Sequence, residues 1–313
     1  MTVETVETAV PTTESVVLPR GARSPRRPGR TPGARPRAMS RTAVNGALVL
    51  VACYTFFPFI WTVFAATKNS GAIQVGDVLS FKGFDLANNI HLLVSYHGGI
   101  YFRWFANSIL YAGVGAAVGA LICVAAGYAF DKYEFRGKEK LFLLVLVGVL
   151  VPSAATTLPL YLLASNVHLV NTYWGVLIPS LVNPFGVYLA RIFSAGYVPG
   201  EVIEAGRIDG ASEFALFRRL ALPMIGPGYV TILLFQFSGI WNGFFLSLVM
   251  LTNMQLFPVS LGMYELNSSL ASNGPELLPM VMLGSLLSII PLIVIFISLQ
   301  RYWKAGLTAG SVK

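Results

Sequence analysis

Apolar runs long enough to cross a membrane alternate with polar stretches along most of this chain. A helix needs about 20 apolar residues to span the hydrocarbon core of a bilayer. Pro152 and Pro159 interrupt the third run, which predicts a kink there, and Pro179 and Pro184 make the fourth the least regular. The pattern predicts six membrane-spanning helices: Ala43–Ala66, Asn107–Phe130, Leu141–Leu163, Tyr173–Arg191, Tyr229–Met250 and Met280–Leu299.

Composition agrees with this pattern. Hydrophobic residues make up 55% of the 313 residues and charged residues only 12%, whereas a soluble domain usually carries about twice that charged fraction. The chain is therefore an integral membrane protein with an all-α fold. Cys53 and Cys123 both fall inside apolar runs, where a lone cysteine behaves as a small hydrophobe, so neither predicts a disulfide or a metal site.

The first 42 residues form a separate, basic region. Pro19–Arg41 contains eight Arg and five Pro, and a segment with so little to bury is predicted to be disordered. A full-length apolar run follows, which favours an uncleaved signal-anchor over a cleaved signal. Retention of the arm in the cytoplasm and contact with anionic lipid explain its charge more simply than nucleic-acid binding. We predict a disordered arm at 1–42, a transmembrane domain at 43–300 and a cytoplasmic tail at 301–313.

The distribution of basic residues predicts the orientation of the chain. If the N-terminus is cytoplasmic, the arm, the 131–140 loop, the 191–228 loop and the tail hold eight, four, four and three Lys or Arg. The outer loops hold only Lys68, Lys82 and Arg103. Because cytoplasmic segments carry an excess of Lys and Arg, both termini are predicted to be cytoplasmic.

The sequence lacks the residues that several classes of activity require. None of the six predicted spans has an Asp, Glu, Lys, Arg or His in its interior, whereas ion-coupled carriers usually need an ionisable group at depth. His91, His97 and His168 lie in predicted outer loops without metal-ligand spacing, and there is no phosphate-binding G-x-x-x-x-G-K-[ST] loop. We expect no cofactor, no metal and no catalysis by this chain, and if it moves a solute uphill, a partner must supply the energy.

Residues 199–228 form a charged loop on the predicted cytoplasmic side. Pro199 suits the first turn of a helix. With Gly210 as the N-cap of a second helix, Glu213 falls at the third position and can reach back to the cap. That helix is predicted from Ala211 to about Ala221, and composition alone favours an amphipathic connector between two spans. Its apolar stripe would comprise Phe214, Phe217, Leu220 and Ala221.

Residue identities in this loop resemble a known family. Glu204-Ala205-Gly206, Gly210 and Leu222-Pro223 are similar to the EAA…G…LP loop of binding-protein-dependent ABC transporter permeases. Gly206 stands where alanine is commoner in that family. The extended segment 204–213 is similar to the carbohydrate-uptake branch.

Segments elsewhere extend the resemblance to the maltose-type second permease subunit, from about residue 43 to the end. The resemblance implies a six-transmembrane-helix bundle of the type I ABC importer permeases, with cytoplasmic coupling helices. The matching segments are Arg103–Ser108, Ala129-Phe130, Phe135–Lys138, Leu158–Tyr161, Leu169–Gly175, Trp241–Phe245, Gln300–Trp303 and Gly306–Lys313.

The resemblance also implies the partners and the place of the protein. They are a second homologous permease subunit, a cytoplasmic ATPase dimer, an extracytoplasmic sugar-binding lipoprotein and membrane lipid, with no nucleic acid. ATP binding would close the ATPase dimer and turn the pore from inward- to outward-facing. The chain would lie in a bacterial cell membrane and carry a sugar, expected to be a di- or oligosaccharide.

Roles in coupling follow from the same resemblance. Glu204 would pair with a basic group on the ATPase, and Gly210 would allow the turn between the coupling helices. Phe214 and Phe217 would fill an apolar cleft of the ATPase, or alternatively pack on the chain's own bundle. The full predicted coupling set is Glu204, Ala205, Gly206, Asp209, Gly210, Ala211, Phe214, Phe217, Leu222 and Pro223.

Candidates for sugar contact are side chains with aromatic faces or hydrogen-bonding groups on the inner sides of the spans. For each of them, helix packing or interfacial anchoring is the alternative, because in maltose-type systems the other permease subunit can hold the sugar alone. The candidates are Trp241, Asn242, Asn183, Gln236 and Tyr188.

Three other functions compete with a sugar permease. One is an ABC permease for amino acids, peptides or phosphate, and another is a stand-alone secondary carrier or channel. The third is a membrane-embedded enzyme, which the lack of a reactive cluster at depth disfavours. Co-purification separates the first from the second, since a lone carrier brings no ATPase.

Overall fold

The computed structural model of this protein describes residues 38–80, 82–270 and 274–309, with backbone only for 38–42, 275 and 301–309. The chain divides into two units, Met1–Thr55 and Phe56–Lys313. All contacts discussed below lie within the second unit. Residues 1–37 of the predicted arm lie outside the described part of the chain. The same is true of residues 310–313 and of the side chains of residues 301–309 in the predicted tail.

The described residues are almost entirely helical. Short 3₁₀ turns at Tyr96–Gly98, Met254–Leu256 and Pro275–Leu277 and a π turn at Phe217–Ala221 join the helices. The helices are α1 (Ala38–Ala66), α2 (Ser70–Gln74), α3 (Leu86–Ser95), α4 (Ile100–Lys132), α5 (Lys138–Leu150), α6 (Ser153–Asn166), α7 (Tyr173–Ser180), α8 (Pro184–Tyr197), α9 (Gly200–Ile208), α10 (Glu213–Leu216), α11 (Leu222–Met224), α12 (Gly226–Trp241), α13 (Phe245–Met250), α14 (Val259–Ser268) and α15 (Leu278–Ala309).

Four segments of the described residues are long and apolar enough to cross a membrane: Ala43–Ala66, Ile100–Lys132, Tyr173–Tyr197 and Leu278–Gln300. In two further cases, two consecutive segments are long and apolar enough only when they are taken together as one span. The pair α5 and α6 is bent by 106°, and the pair that runs from α10 to α12 is bent by 77°. If each bent pair is one span, the total is six, the number that the sequence predicts.

Three of the predicted spans differ from the structure in detail. The bend of the third lies between Leu150 and Ser153, whereas Pro159 lies within α6. The fourth is divided into α7 and α8 and continues past Arg191 to Tyr197. The fifth is not continuous either, because α12 ends at Trp241 and α13 begins at Phe245.

Interhelical hydrogen bonds define one end of the bundle, which we call the coupling end. There the Ser194 hydroxyl donates to Asp131 Oδ2 at 2.7 Å, joining the last turns of α8 and α4. Arg191 Nη2 donates to Glu139 Oε1 at 3.0 Å, which places the first turn of α5 beside them. The charged loop at 199–228 follows α8 and begins at this end.

A second set of hydrogen bonds defines the opposite end, which we call the far end. The Tyr173 hydroxyl, at the start of α7, bonds Asn107 Oδ1 in the first turns of α4 at 3.2 Å. Just before α7, the Asn171 N–H donates to the Met250 carbonyl at the end of α13 at 2.8 Å. Together α5 and α6 therefore take the chain from the coupling end to the far end, and so do α12 and α13.

Helix α4 packs closely on α8 and α12 because glycines line its contact face. A Cβ at Gly127 would lie 2.4 Å from Ala190 Cβ, and a Cβ at Gly119 would lie 2.0 Å from Gln236 Nε2. At Gly127 the backbone nitrogen of Arg191 would also lie 2.5 Å from that Cβ, so the backbones of α4 and α8 approach more closely than a larger residue would permit, and at Gly119 the Gln236 amide occupies the space. This packing holds the middle of α4 against Gln236.

Candidate functional site

The charged loop folds into two short helices at the coupling end. Helix α9 ends at Ile208, and Gly210 follows with φ +79°, a left-handed conformation that commonly closes a helix C-terminus. The Ala211 N–H donates to the Gly206 carbonyl at 3.0 Å and completes the turn. The prediction that Gly210 caps the second helix is wrong, because its backbone closes the first one. The N-cap is Ser212, whose Oγ accepts from the Ala215 N–H at 3.3 Å.

The predicted role of Glu213 is also wrong. Its carboxylate does not return to the helix cap but accepts two hydrogen bonds from Arg207, at 2.8 Å from Nε and 3.3 Å from Nη2. The Tyr133 hydroxyl, directly after α4, donates to Glu213 Oε2 at 2.9 Å. A three-residue contact thus joins α9, α10 and the end of α4.

These contacts shift the pKa values of their three members, which lie at the coupling end and outside the six spans that the sequence predicts. The hydrogen bond with Arg207, followed by that with Tyr133, holds the pKa of Glu213 below its ordinary value. The same hydrogen bond raises the pKa of Arg207. Burial, followed by the bond to Glu213, raises the pKa of Tyr133. Glu213 is therefore ionised, and Tyr133 protonated, at neutral pH.

One face of the loop is buried against the bundle. Ile203, Leu216 and Ala221 are fully buried and join a cluster with residues of α4, α8 and α12. Gly206 lies so close to Leu216 that a Cβ there would be 2.5 Å from Leu216 Cδ2. Leu216 is thus the main anchor of the second helix, although the predicted stripe did not include it.

The other face of the loop is exposed. Ile208 is 86% exposed and Phe214 is 70% exposed, so Phe214 does not belong to the buried stripe. Glu204 is exposed as well, and within the described part of the chain its carboxylate makes no ion pair. We call the exposed residues Glu204, Ala205, Ile208, Asp209 and Phe214 the coupling surface.

The remaining predicted coupling residues are distributed between the two faces. Phe217 is half-buried, with its ring 5.3 Å from that of Tyr128 in α4. This contact favours the alternative in which Phe217 packs on the chain's own bundle. Ala211 and Leu222 are half-buried, and Pro223 is exposed at the start of α11.

A cleft of about 630 Å³ lies where three helix breaks meet. The breaks are those before α6, between α7 and α8, and between α12 and α13. Discontinuous helices commonly form the solute sites of membrane transporters, because the breaks expose polar backbone and side chains. Polar and aromatic side chains both line the cleft: Ser153, Thr157, Ser180, Asn183, Gln236 and Ser247 with Phe185, Phe235, Phe244 and Phe245.

The structure brings together two of the five predicted sugar contacts. Asn183 and Gln236 both line the cleft, and the Asn183 Nδ2 lies 3.5 Å from Gln236 Oε1. Each amide also has a structural task. Asn183 Oδ1 caps α8 by accepting from the Gly186 N–H at 2.9 Å, and Gln236 Nε2 donates to the Ser180 carbonyl at 2.9 Å.

The other three candidates do not line the cleft. Trp241 is buried, stacks on Phe237 at 5.6 Å and donates from Nε1 to the Ser288 carbonyl at 3.1 Å. These contacts correspond to the packing alternative. Asn242 is exposed and bonds its own helix at Ser238, and Tyr188 lies on the surface with its ring 6.5 Å from Phe185.

Sequence reasoning missed Tyr133 and the serine and threonine residues of the cleft. Tyr133 gives no local signal, because its partner Glu213 is 80 residues away. The cleft residues do carry a local signal in the sequence, because Ser153 follows Pro152 and Ser180 lies between Pro179 and Pro184. Polar residues beside helix-breaking prolines in an apolar run could have indicated them. Among the described residues, no group of three or more His, Cys, Asp or Glu could hold a metal ion.

Comparison with known proteins gives one family. Residues 120–308 match the family described as binding-protein-dependent transport system inner membrane component. The chain is 33% identical over 264 residues to the arabinooligosaccharides transport system permease protein AraQ of Halalkalibacterium halodurans, covering 84% of this chain and 93% of that protein. It is 29% identical over 266 residues to the lactose transport system permease protein LacG of Rhizobium radiobacter, covering 85% and 94%.

The fold also resembles a solved structure. A chain from the crystal structure of a bacterial ABC transporter involved in the import of the acidic polysaccharide alginate matches with a TM-score of 0.73. The match covers 86% of this chain and 99% of that chain at 21% identity. The predicted permease fold is therefore confirmed.

Proposed function

This chain belongs to the family of binding-protein-dependent transport system inner membrane components, and we propose that it forms half of the membrane path of an ATP-driven oligosaccharide importer. Members of this family are transport components and not enzymes, so ATP hydrolysis is the task of a separate subunit. Membership implies an ATPase partner and a solute-binding protein.

The two-sided coupling loop is the observation that carries the proposed mechanism. Its buried face, centred on Leu216, fixes it to the bundle, while apolar Ile208 and Phe214 remain exposed beside the charge of Glu204. Large exposed hydrophobic side chains with a charged rim are typical of a protein–protein contact. We propose that Phe214 and Ile208 enter an apolar cleft of the ATPase and that Glu204 pairs with a basic group there. Such a charge pair would fix the register of the contact more than its affinity.

The proposed solute class rests on the relatives and on the cleft. AraQ and LacG are named for arabinooligosaccharides and lactose, and the maltodextrin transport system permease protein MdxG of Bacillus subtilis is 26% identical over 282 residues. The cleft supports this solute class because it offers hydroxyl and amide groups beside phenylalanine rings, and sugars bind through both. We propose that Asn183 and Gln236 contact the solute and that a second permease subunit closes the open side.

The remaining partners and the orientation complete the proposal. The chain lies in a bacterial cell membrane with the coupling end in the cytoplasm, where the ATPase dimer binds. The far end faces outward and receives the sugar from a binding lipoprotein. Both termini are then cytoplasmic, in agreement with the distribution of Lys and Arg.

Reconstitution tests the proposal. The chain would be co-expressed with its partner subunits, purified, and placed in vesicles that contain ATP, and uptake of a labelled oligosaccharide would be measured. Uptake should require ATP and the binding protein. Glu204→Lys and Glu204→Gln should assemble normally yet lose uptake, while Glu134→Gln, at an exposed carboxylate of the same end, should keep it. Uptake by the purified chain alone, or normal uptake by Glu204→Lys at normal expression, would refute the proposal.

A further inference from the structure

Neither the coupling surface nor the cleft includes the contact between Arg207, Glu213 and Tyr133. Arg207 belongs to the last turn of α9, Glu213 is the first residue of α10, and Tyr133 directly follows α4. One carboxylate therefore accepts hydrogen bonds from two other elements, at 2.8 and 3.3 Å from Arg207 and at 2.9 Å from Tyr133.

This contact fixes geometry more than it stabilises the fold. The side chains of Arg207 and Glu213 are 41% and 50% exposed, and ion pairs with that exposure contribute little to stability. A guanidinium that uses two nitrogens against one carboxylate nevertheless sets the mutual orientation of the two groups. Leu216, in contrast, anchors the loop through burial, which resists separation of the loop from the bundle but provides no directional bond to α4.

Helix α4 connects this contact to the cleft. It is continuous from Ile100 to Lys132, and in its middle Gly115 and Gly119 touch Gln236, which lines the cleft. Between Gly119 and Tyr133 the helix spans roughly 20 Å at 1.5 Å per residue. If Tyr133 were displaced along the axis of α4, the continuous helix would carry that displacement to the residues that contact Gln236.

We propose that Glu213 is the joint through which movement of the coupling surface is transmitted to α4 and thereby to the cleft. The inference rests on the proposed function, since it assigns a force-transmitting role to a residue beside the coupling surface. Arg207 holds Glu213 in position, and the Tyr133 hydroxyl is the attachment point on α4. All three are positioning residues, and none touches the solute or ATP.

Tyr128 provides a matched control in the same place. Its ring lies 5.7 Å from that of Tyr133, and among the described residues its buried hydroxyl makes no hydrogen bond to Glu213. Tyr128→Phe and Tyr133→Phe therefore remove the same group at two positions five residues apart. Only the second breaks a link to Glu213.

The test measures ATP hydrolysis and sugar uptake in the same vesicles, with the complete transporter. For Tyr133→Phe we expect normal assembly, normal ATP hydrolysis and a fall in sugar molecules carried per ATP of about fivefold, the lower end of typical coupling between sites. Tyr128→Phe should keep the wild-type ratio. Arg207→Glu and Glu213→Arg should each lower the ratio, and the double charge exchange should not restore it, because the ion pair returns without the carboxylate that Tyr133 bonds.

A second measurement does not depend on transport. Hydrogen exchange of residues 205–216 in the purified assembly should become faster in Tyr133→Phe and remain unchanged in Tyr128→Phe. A wild-type ratio and unchanged exchange in Tyr133→Phe would overturn the role of the joint. If wild-type vesicles show no ATP-dependent uptake, the proposed function fails instead, and the exchange measurement still decides whether Tyr133 and Glu213 hold the loop.

Discussion

Gly206 offers the sharpest test of how the coupling loop is held. Alanine is commoner at this position in the family that the loop resembles, yet an alanine Cβ here would lie 2.5 Å from Leu216 Cδ2 and 3.1 Å from Leu220 Cδ1. Leu216 is completely buried, so it has little room to move aside. Gly206→Ala should therefore push α9 and α10 apart, although alanine is the better helix former.

Two opposing terms set the magnitude. Overpacking a filled site costs about 1–3 kcal/mol, while replacing Gly by Ala within a helix contributes about 0.8–1 kcal/mol of stability. The net loss in the free energy that holds α9 against α10 is then about 1 kcal/mol. That loss corresponds to a rise of about fivefold in the population of molecules in which the two helices have separated. The coupling surface itself keeps all its side chains.

Hydrogen exchange at the Ala211 amide measures this opening directly. That N–H donates to the Gly206 carbonyl at 3.0 Å, so it exchanges when the turn opens. We expect about fivefold faster exchange in Gly206→Ala within the purified assembly, at the net cost derived above.

The compensating variant is Leu216→Ala, which alone should cost about 2–5 kcal/mol through the cavity it leaves. In the double variant the new methyl group enters that space, so the double should be less destabilised than the sum of the singles. Unchanged or slower exchange in Gly206→Ala, or strict additivity of the two substitutions, would refute the packing argument.

Three further predictions concern other parts of the molecule. Gln236→Leu should destabilise the assembly by about 1–3 kcal/mol because the Ser180 carbonyl loses the donor that Gln236 supplies, and thermal unfolding of the variant beside the wild type checks this. Trp241→Phe should keep the stacking on Phe237 but lose the hydrogen bond to Ser288, which should lower the stability of the assembly by about 0.5–1.5 kcal/mol. The affinity of the transporter for sugar should not change, and a change measured in vesicles would contradict the packing role of Trp241. The pKa of Glu213 lies below its ordinary value of 4.5, so its contribution is complete above that pH and is lost as the pH falls further. Exchange of the loop, corrected for intrinsic rates, should accelerate below about pH 4.5, and Glu213→Gln should abolish that dependence.

The sequence was sufficient for properties that depend on short stretches of chain. Whether a run of about 20 residues is apolar enough to enter a bilayer depends on that run alone. Six spans and a membrane location could therefore be predicted from composition and from the lengths of the apolar runs. The coupling loop could be placed because Glu204-Ala205-Gly206 and Leu222-Pro223 are contiguous motifs. Proline positions indicated the irregular third and fourth spans but not where each would break.

Only the tertiary structure decided which side of each element faces a neighbour. A π turn at Phe217–Ala221 changes the helical register, so Leu216 became the anchor and Phe214 remained exposed. Glu213 bonds Tyr133 from 80 residues away, and Trp241 is enclosed by residues of other helices. Burial and hydrogen bonding depend on segments far apart in the chain, and the periodicity of one helix carries no information about what packs against it.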